Sequence, residues 1–400
     1  MVSYEEALKC VTESIGGIEL ATENIPLENS AGRILAENII SDIDMPAFTY
    51  SSTDGYGIAF SNHTSWSVIG EIGAGNFKQL TPVPGEAVLI LSGSRVPDNI
   101  DTVIPLDDIN FEEGTVTLKE GIIVRKGMNI RERGSDLVKD KIALRRFQKI
   151  EAKVITVLAT CGIINVPVIK KVRAGILGTG SELIPASEAP SVDKVRVSNI
   201  YALNAAAVSC GMEPVIFGFT KDDKEELRDT VQNALNSDID ILITTGGVSA
   251  GKFDYIKDIF DEAGIDIKYR KVNIKPGKPN IFGVYRQEQK KKYIFGLPGN
   301  PVSALAAFYI FIRPAIDSLY MQKSIDLVFA HLDTDISKKD GKRHFMRGEL
   351  TYDGNRIKVK PGYSQSSGNF LEMSKSNCLI EVPENVAGFV RGDIVKCIVM

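Results

Sequence analysis

The chain has 400 residues, 44% hydrophobic and 24% charged, a globular composition with length enough for about two to four domains and unlike a collagen, a mucin, a coiled coil or a disordered tail. With 47 Lys+Arg against 51 Asp+Glu the net charge is −4 and the pI near 5.7, which argues against nucleic acid as a main partner, because counterion release needs a broad cationic face. Cys10, Cys161, Cys210, Cys378 and Cys397 are odd in number, scattered and free of any CxxC pair, as in a reducing, cytoplasmic compartment.

The start, MVSYEEALKC, is acidic and lacks the basic region and apolar core of a signal peptide, so no export is expected. Ser3 and Glu6 form a capping box, and Ala7, Leu8, Val11 and Ile15 then share one face, which predicts an amphipathic helix over 4–16. A second short helix is predicted at 31–38. Residues 44–136 change to short apolar runs broken by Gly, Pro and Asp, the texture of a β-rich domain. Helical texture returns over 143–160. From 173 to 319 strand-like runs alternate with helical stretches, a βαβ rhythm that predicts a parallel sheet with right-handed crossovers. Within it PVSALAAFYIFI, 301–312, falls short of the roughly 20 residues that span a bilayer and reads as a buried helix, so no membrane partner is expected. Beyond 324 β texture resumes, with Asp353-Gly354 as a hairpin signal and strands near 378–382 and 393–399.

The fold class is therefore α/β plus β in several domains: an α/β domain of 1–25 and 170–320, a helical linker domain of 26–43 and 139–169, an inserted β-rich domain of 44–138, and a C-terminal β-barrel of 321–400.

Ligands of open α/β sheets sit beyond the carboxyl ends of the strands, and three loops there are unusual. They carry Thr179, Gly180 and Glu182; Thr245, Gly246, Gly247 and Ser249; and Pro298, Gly299, Asn300 and Pro301. Glycines let backbone N–H groups approach an anion, and Asn300-Pro301 has the N-cap and N1 chemistry that opens a helix. Each alone is as readily a tight strand-to-helix turn; three in one sheet point to a site. GTGSEL has Leu183 where a dinucleotide fingerprint needs its third glycine, and Phe253 stands where a P-loop needs Ser or Thr, so neither motif applies. Lys271, Lys275 and Lys278 fall within eight residues around two prolines that hold the ammonium groups together, which favours an anion over a merely solvated face. Asp54, Asp136, Glu182, Asp222 and Asp254 lie in or near glycine-containing loops and could supply hard oxygens to Mg²⁺, although an Asp beside Gly is commonly a turn residue. His63, His331 and His344 show no ligand spacing, and the single Trp66 reads as packing.

GRILAENI, PAFTYSSTDGYG, LSGSRVP, NIRERGSD, GTGSEL, TTGGVSAGKFDY, KVNIKPGKP and GLPGNPVSA, in that order and nearly end to end, resemble the molybdopterin molybdenumtransferase (MoeA) family, whose animal relative is the C-terminal part of gephyrin. The resemblance implies an elongated homodimer of four-domain subunits with a MogA-like α/β domain. It further implies that adenylyl-molybdopterin, delivered by a MogA-like adenylyltransferase, is split at its phosphoanhydride with Mg²⁺ while molybdate enters the dithiolene and AMP leaves. Family roles carry over to Asp54, Asp136, Glu182, Asp222, Asp254, Lys271 and Lys275 as catalytic or metal-holding groups, and to Ser92, Arg131, Lys278 and Ser367, with the three loops, as substrate-binding groups. The chain departs from the family at Ser181, usually aspartate, and at Glu132 and Ser135, usually arginine and glutamate, so two family carboxylates are missing; Ser92 replaces a common threonine and keeps the hydroxyl.

Three alternatives stay open from sequence: a gephyrin-like scaffold without turnover, a nucleotide or pterin hydrolase on a similar α/β domain, and a paralogue that inserts tungstate, an oxyanion of nearly the same shape and charge. The distance in sequence between Asp54 and Asp136 and the lysines, with the dimer the resemblance implies, predicts active sites shared between protomers. Mixing Asp54→Ala with Lys275→Ala under subunit exchange should then restore roughly a quarter of wild-type activity by the twofold count. Verified mixed dimers that stay inactive would place each site within one protomer.

Overall fold

A computed structural model describes residues 1–75, 79–248, 255–287, 290–321 and 327–400. The chain divides into two compact units, Met1–Glu23 with Gly32–Ile34 and Ile169–Met400, and Asn24–Ala31 with Leu35–Val168.

The first unit opens with α1 (Tyr4–Ile15), where Ser3 Oγ accepts from the Glu6 N–H at 3.1 Å and the Glu6 carboxylate accepts from the Ser3 N–H at 2.8 Å, the reciprocal cap its sequence predicts. Its core follows in chain order as β1 (Arg173–Thr179), α2 (Asn199–Ser209), β2 (Glu213–Thr220), α3 (Lys224–Asn236), β3 (Ile241–Thr245), α4 (Ile256–Glu262), β4 (Asp266–Lys271), β5 (Pro279–Gln287), β6 (Lys290–Leu297) and α5 (Pro301–Ala307). The sheet order is β2-β1-β3-β6-β5-β4. Its first four strands are parallel, as the βαβ rhythm predicts, and β5 and β4 add an antiparallel edge that the rhythm alone does not show. Chain length explains it: fewer than about a dozen residues separate β4 from β5 and β5 from β6, too few for a helical crossover. β3 is buried along its whole length, with Leu177, Leu242, Ile256, Phe260 and Ile294 in the core between the sheet and α3 and α4.

The apolar run beginning at Pro301 does not stop at 312. It stays helical through Pro301–Leu319, 19 residues, long and apolar enough to cross a membrane by length and composition, yet 67% buried inside the unit. The run passes Pro314 because the turn Phe308–Ile312 widens, with the Arg313 N–H reaching the Phe308 oxygen five residues back. α1 packs on this helix, the Tyr4 ring lying 5.7 Å from Phe311 and 5.0 Å from Phe345 of the barrel that follows.

That barrel comprises β6's successors β7 (Leu327–Leu332), β8 (Arg343–Tyr352), β9 (Ile357–Pro361), β10 (Cys378–Val382) and β11 (Ile394–Val399), with a short helix Phe370–Lys375 before β10. Five strands close in the order β8-β9-β7-β11-β10 and back to β8, around Ala330, Met346, Val359, Ile380 and Val395. Asp353-Gly354 turns β8 into β9 as predicted, with Gly354 at φ +90. Outside the ring, Ile274–Lys275 adds to β8 in parallel, Lys275 opposite His344.

In the second unit a six-stranded sheet packs over two small cores, and Trp66 is buried in one of them. Gly55 belongs to the strand Gly55–Ile58 and not to a turn; a Cβ there would stand 2.2 Å from the Ile104 oxygen, so the glycine serves close approach of two strands. The helix predicted over 143–160 is shorter, Ala152–Thr160, after a strand Ile142–Leu144. None forms at 31–38. A 3₁₀ turn covers Leu27–Asn29, Gly32 takes φ +78, and Leu35 bridges Val168, which trades local helix for a long-range pairing.

His344 lies buried in β8 with its Nε2 2.6 Å from Asp340 Oδ1. Burial holds its imidazole below the ordinary value of 6.5 against the pull of Asp340, and Lys275 and Lys338 push the same way as burial. A depressed folded pKa means the unfolded chain binds the proton first, so stability falls as pH drops through 6.5 toward the lowered value. Asp340 is shifted down: burial is the largest single influence and raises it, but the bond and charge of His344 and the contacts with Lys342 together outweigh burial, so its contribution is lost only at far lower pH. Urea melts between pH 7.5 and 5.5, about one unit either side of that value, should show this loss, and His344→Gln should flatten it; an unchanged slope would remove His344 from the account.

Candidate active site

The loops leaving β1, β3 and β6 meet at the carboxyl end of the sheet. Thr245 Oγ1 donates to the Pro298 oxygen at 2.9 Å, and the Gly246 N–H to the Leu297 oxygen at 3.1 Å. Gly246 has φ +103, and a Cβ there would lie 2.1 Å from the Thr179 oxygen, so only glycine allows the first two loops to touch. Gly299 completes the contact, its Cβ position 3.4 Å from Gly246 Cα. Asn300 caps α5 as its sequence predicts, Oδ1 accepting from the Ser303 N–H at 3.2 Å with Pro301 in the first turn.

Sequence reading missed Asn199, which ties the assembly together. Its amide nitrogen donates to Thr245 Oγ1 at 2.7 Å and to the Gly299 oxygen at 2.8 Å, and since a carbonyl only accepts, the amide orientation is set. The one signal for it was a Ser-Asn pair opening a helix after a loop.

The first loop is held as firmly. Asp222 accepts from the Thr179 hydroxyl at 3.2 Å and the Ser181 N–H at 2.9 Å, while its own N–H donates to Ser181 Oγ at 3.0 Å. Lys194 Nζ donates to the Ser181 oxygen at 2.6 Å. Beside these loops opens a cavity of about 940 Å³ whose wall includes Thr179, Glu182, Lys194, Asn199, Thr245 and Gly299. Phe370, Met373 and Ser374 of the helix Phe370–Lys375 form part of the same wall. Ser367 lies on the exposed loop before that helix, and a second residue unnoticed in sequence orders it: buried Arg347 donates to the oxygens of Asn369 and Ser364, both at 2.6 Å, and of Ser366 at 2.9 Å.

Lys271, Lys275 and Lys278 are exposed and have no carboxylate partner among the described residues, but none lines the cavity. Their loop is shaped by the Val272 N–H bond to the Lys278 oxygen at 3.0 Å and by Gly277 at φ +90, whose Cβ position is 3.6 Å from the Ser303 oxygen of α5.

In the second unit Asp54 Oδ1 accepts from the Ser92 N–H at 2.6 Å, and Asp136 pairs with Arg131, keeping that guanidinium above its ordinary value. Ser249 and Asp254 lie outside the described residues. Among the described residues no group of three or more His, Cys, Asp and Glu is arranged to hold a metal ion. Asp54, Asp136 and Asp222 each already serve a hydrogen bond or ion pair; Glu182 stands in the cavity wall.

Residues 2–162 match the MoeA N-terminal region (domain I and II), residues 175–318 a probable molybdopterin binding domain, and residues 330–400 the MoeA C-terminal region (domain IV). The molybdopterin molybdenumtransferase of Staphylococcus epidermidis is 30% identical over 407 residues, spanning 99% of this chain and 95% of that protein. The chain belongs to the molybdopterin molybdenumtransferase family. The Staphylococcus aureus transferase is equally similar, 30% over 99% of this chain and 95% of its own. Among solved structures, the molybdopterin biosynthesis MoeA protein of Pyrococcus horikoshii OT3 superposes over 100% of both chains with TM-score 0.83 at 28% identity. Membership in this transferase family accounts for the ordered motifs and for the barrel and α/β parts.

Because both carboxylate oxygens of Asp222 hold the first loop, Asp222→Asn, which can still accept from the Ser181 N–H, should keep most turnover. Asp222→Ala should lower kcat/KM about tenfold or more by freeing a loop hydrogen bond to a charged group. Steady-state rates of the two variants decide it; equal losses would assign the carboxylate's charge to the chemistry.

Proposed function

We propose that this chain cleaves the phosphoanhydride of adenylyl-molybdopterin and inserts molybdate into the dithiolene, releasing AMP. The observation that carries the reading is the 940 Å³ cavity at the carboxyl ends of the parallel strands, walled by three glycine-containing loops in a chain of this family. Loop amides and lysines offset the charge of an anhydride and an oxyanion without a nucleophilic side chain. Thr179, Gly180, Thr245, Gly246, Gly247, Pro298, Gly299, Asn300 and Pro301 shape that wall or its loops; Asn199 and Asp222 hold them in place. Ser367, on the loop that Arg347 orders, is proposed as a substrate-binding residue on the strength of its motif.

Mg²⁺ usually takes one or two carboxylates with several waters and substrate phosphates, a demand that Glu182 in the cavity wall suits. Bound there it would neutralise phosphate charge as bonds break. Lys271, Lys275 and Lys278, exposed and without carboxylate partners among the described residues, are the cations proposed to receive oxyanions; Asp54, Ser92, Arg131 and Asp136 are proposed as functional residues on the strength of their motifs. We further propose a cytoplasmic homodimer fed by a MogA-like adenylyltransferase.

Purified protein incubated with adenylyl-molybdopterin, Mg²⁺ and either molybdate or tungstate should release AMP, and omission of Mg²⁺ should suppress it. Absence of AMP with both oxyanions would leave the scaffold reading; release with tungstate alone would assign the chain to tungsten.

A further inference from the structure

Beyond Ser181 the chain runs through Leu183–Ile184, loops out, and returns as Val195–Arg196, which pairs with it in parallel. The Val195 N–H donates to the Glu182 oxygen at 2.9 Å, and this return lays Lys194 across the loop that leaves β1. Its Nζ comes to rest 2.6 Å from the Ser181 oxygen, in the wall of the 940 Å³ cavity. Arg196 is occupied elsewhere, its Nε donating to the Glu188 oxygen at 2.7 Å.

An ammonium has three N–H groups, and Ser181 takes one. Among the described residues the contact of Lys194 is with the Ser181 carbonyl, and no ion pair to a carboxylate is formed. The Ser181 N–H donates to Asp222 and its hydroxyl oxygen accepts from the Asp222 N–H, and with serine rather than aspartate at 181 the residue that Lys194 bonds carries no negative charge. The result is a half-buried, oriented cation with two donors unpaired among the described residues, facing a cavity whose wall also includes Val302, Leu305, Phe370 and Met373. A charge held where water is partly excluded favours an anionic partner more strongly than one on an open surface.

We propose that Lys194 is a substrate-binding residue of this cavity, its ammonium fixed by the Ser181 carbonyl so that its remaining N–H groups receive a phosphate of the bound substrate. The inference rests on the proposed function for the identity of the substrate, but phosphate binding can be measured without turnover. Lysine suits the task as a compact charge on a stem that Ser181 orients.

Calorimetric titration with AMP and with inorganic pyrophosphate, on wild type, Lys194→Ala, Lys194→Gln and Lys194→Arg, tests it. Glutamine keeps a donor for the Ser181 oxygen and removes the charge. Lys194→Gln and Lys194→Ala should both weaken binding of at least one probe by about tenfold or more, the scale of a charge-assisted hydrogen bond, while Lys194→Arg stays within a few-fold and melting temperatures are alike. In turnover the two uncharged variants should raise KM with kcat little changed. Wild-type binding in Lys194→Gln with loss in Lys194→Ala would make the lysine a loop-holding donor and overturn the proposal. So would equal binding in all four proteins, or no binding of either probe by wild type. Lys194-dependent binding in a protein that releases no AMP from adenylyl-molybdopterin would sustain the inference and reject the proposed reaction.

Discussion

The contact of Gly246 with the Thr179 carbonyl is the constraint on which the cavity depends. At 2.1 Å from that oxygen no Cβ fits, so the β3 loop can cross the β1 loop only as bare backbone. Once they touch, Thr245 is in reach of Pro298 and Asn199, and Gly299 packs on Gly246, which brings the third loop in. The adjacent parallel strands β1, β3 and β6 supply the register, Gly178 opposite Thr245 and Thr245 opposite Leu297. Polar groups thus collect at one end of a sheet whose interior is aliphatic, where they can meet a charged ligand without burying unpaired donors in the core.

The lysine loop answers a different demand. Residues 272–278 join β4 to β5, and the segment is too short for a helical crossover. While turning it lends Ile274–Lys275 to the barrel and places Gly277 against α5, so one piece of chain binds the α/β sheet to the β-barrel within the first unit. Lys275 then stands opposite His344, whose buried imidazole it helps keep neutral.

Carboxylates in this protein do more positioning than their count in the sequence suggests. Asp222 organises Thr179 and Ser181, Asp54 fixes the Ser92 amide, and Asp136 restrains Arg131. Glu182, with no such duty among the described residues, is the one in the cavity wall. The loss of family carboxylates at 181 and 135 is consistent with this division: at 181 the serine hydroxyl accepts the Asp222 N–H, a bond that needs an oxygen and no charge.

Features governed by neighbours in the chain were legible in the sequence. The Ser3–Glu6 capping box, the Asn300-Pro301 helix start, the Asp353-Gly354 turn and the alternation of strands and helices from 173 to 319 follow from dihedral preferences and hydrophobic period, which act over a few residues. The ordered motifs likewise carried the family. Tertiary structure alone decided where distant partners compete with local preference. Leu35 pairs with Val168 instead of joining a helix, the helix from Pro301 runs through to Leu319 because the unit encloses it, and five strands close into a ring only when β10 returns to β8. The same holds for Asn199, Lys194 and Arg347, ordinary in sequence, whose roles exist because folding sets their hydrogen-bonding groups against backbone oxygens, from 13 to 100 residues away. A local pattern can specify that a side chain is a donor; which acceptor it meets is set by the packing of the whole unit.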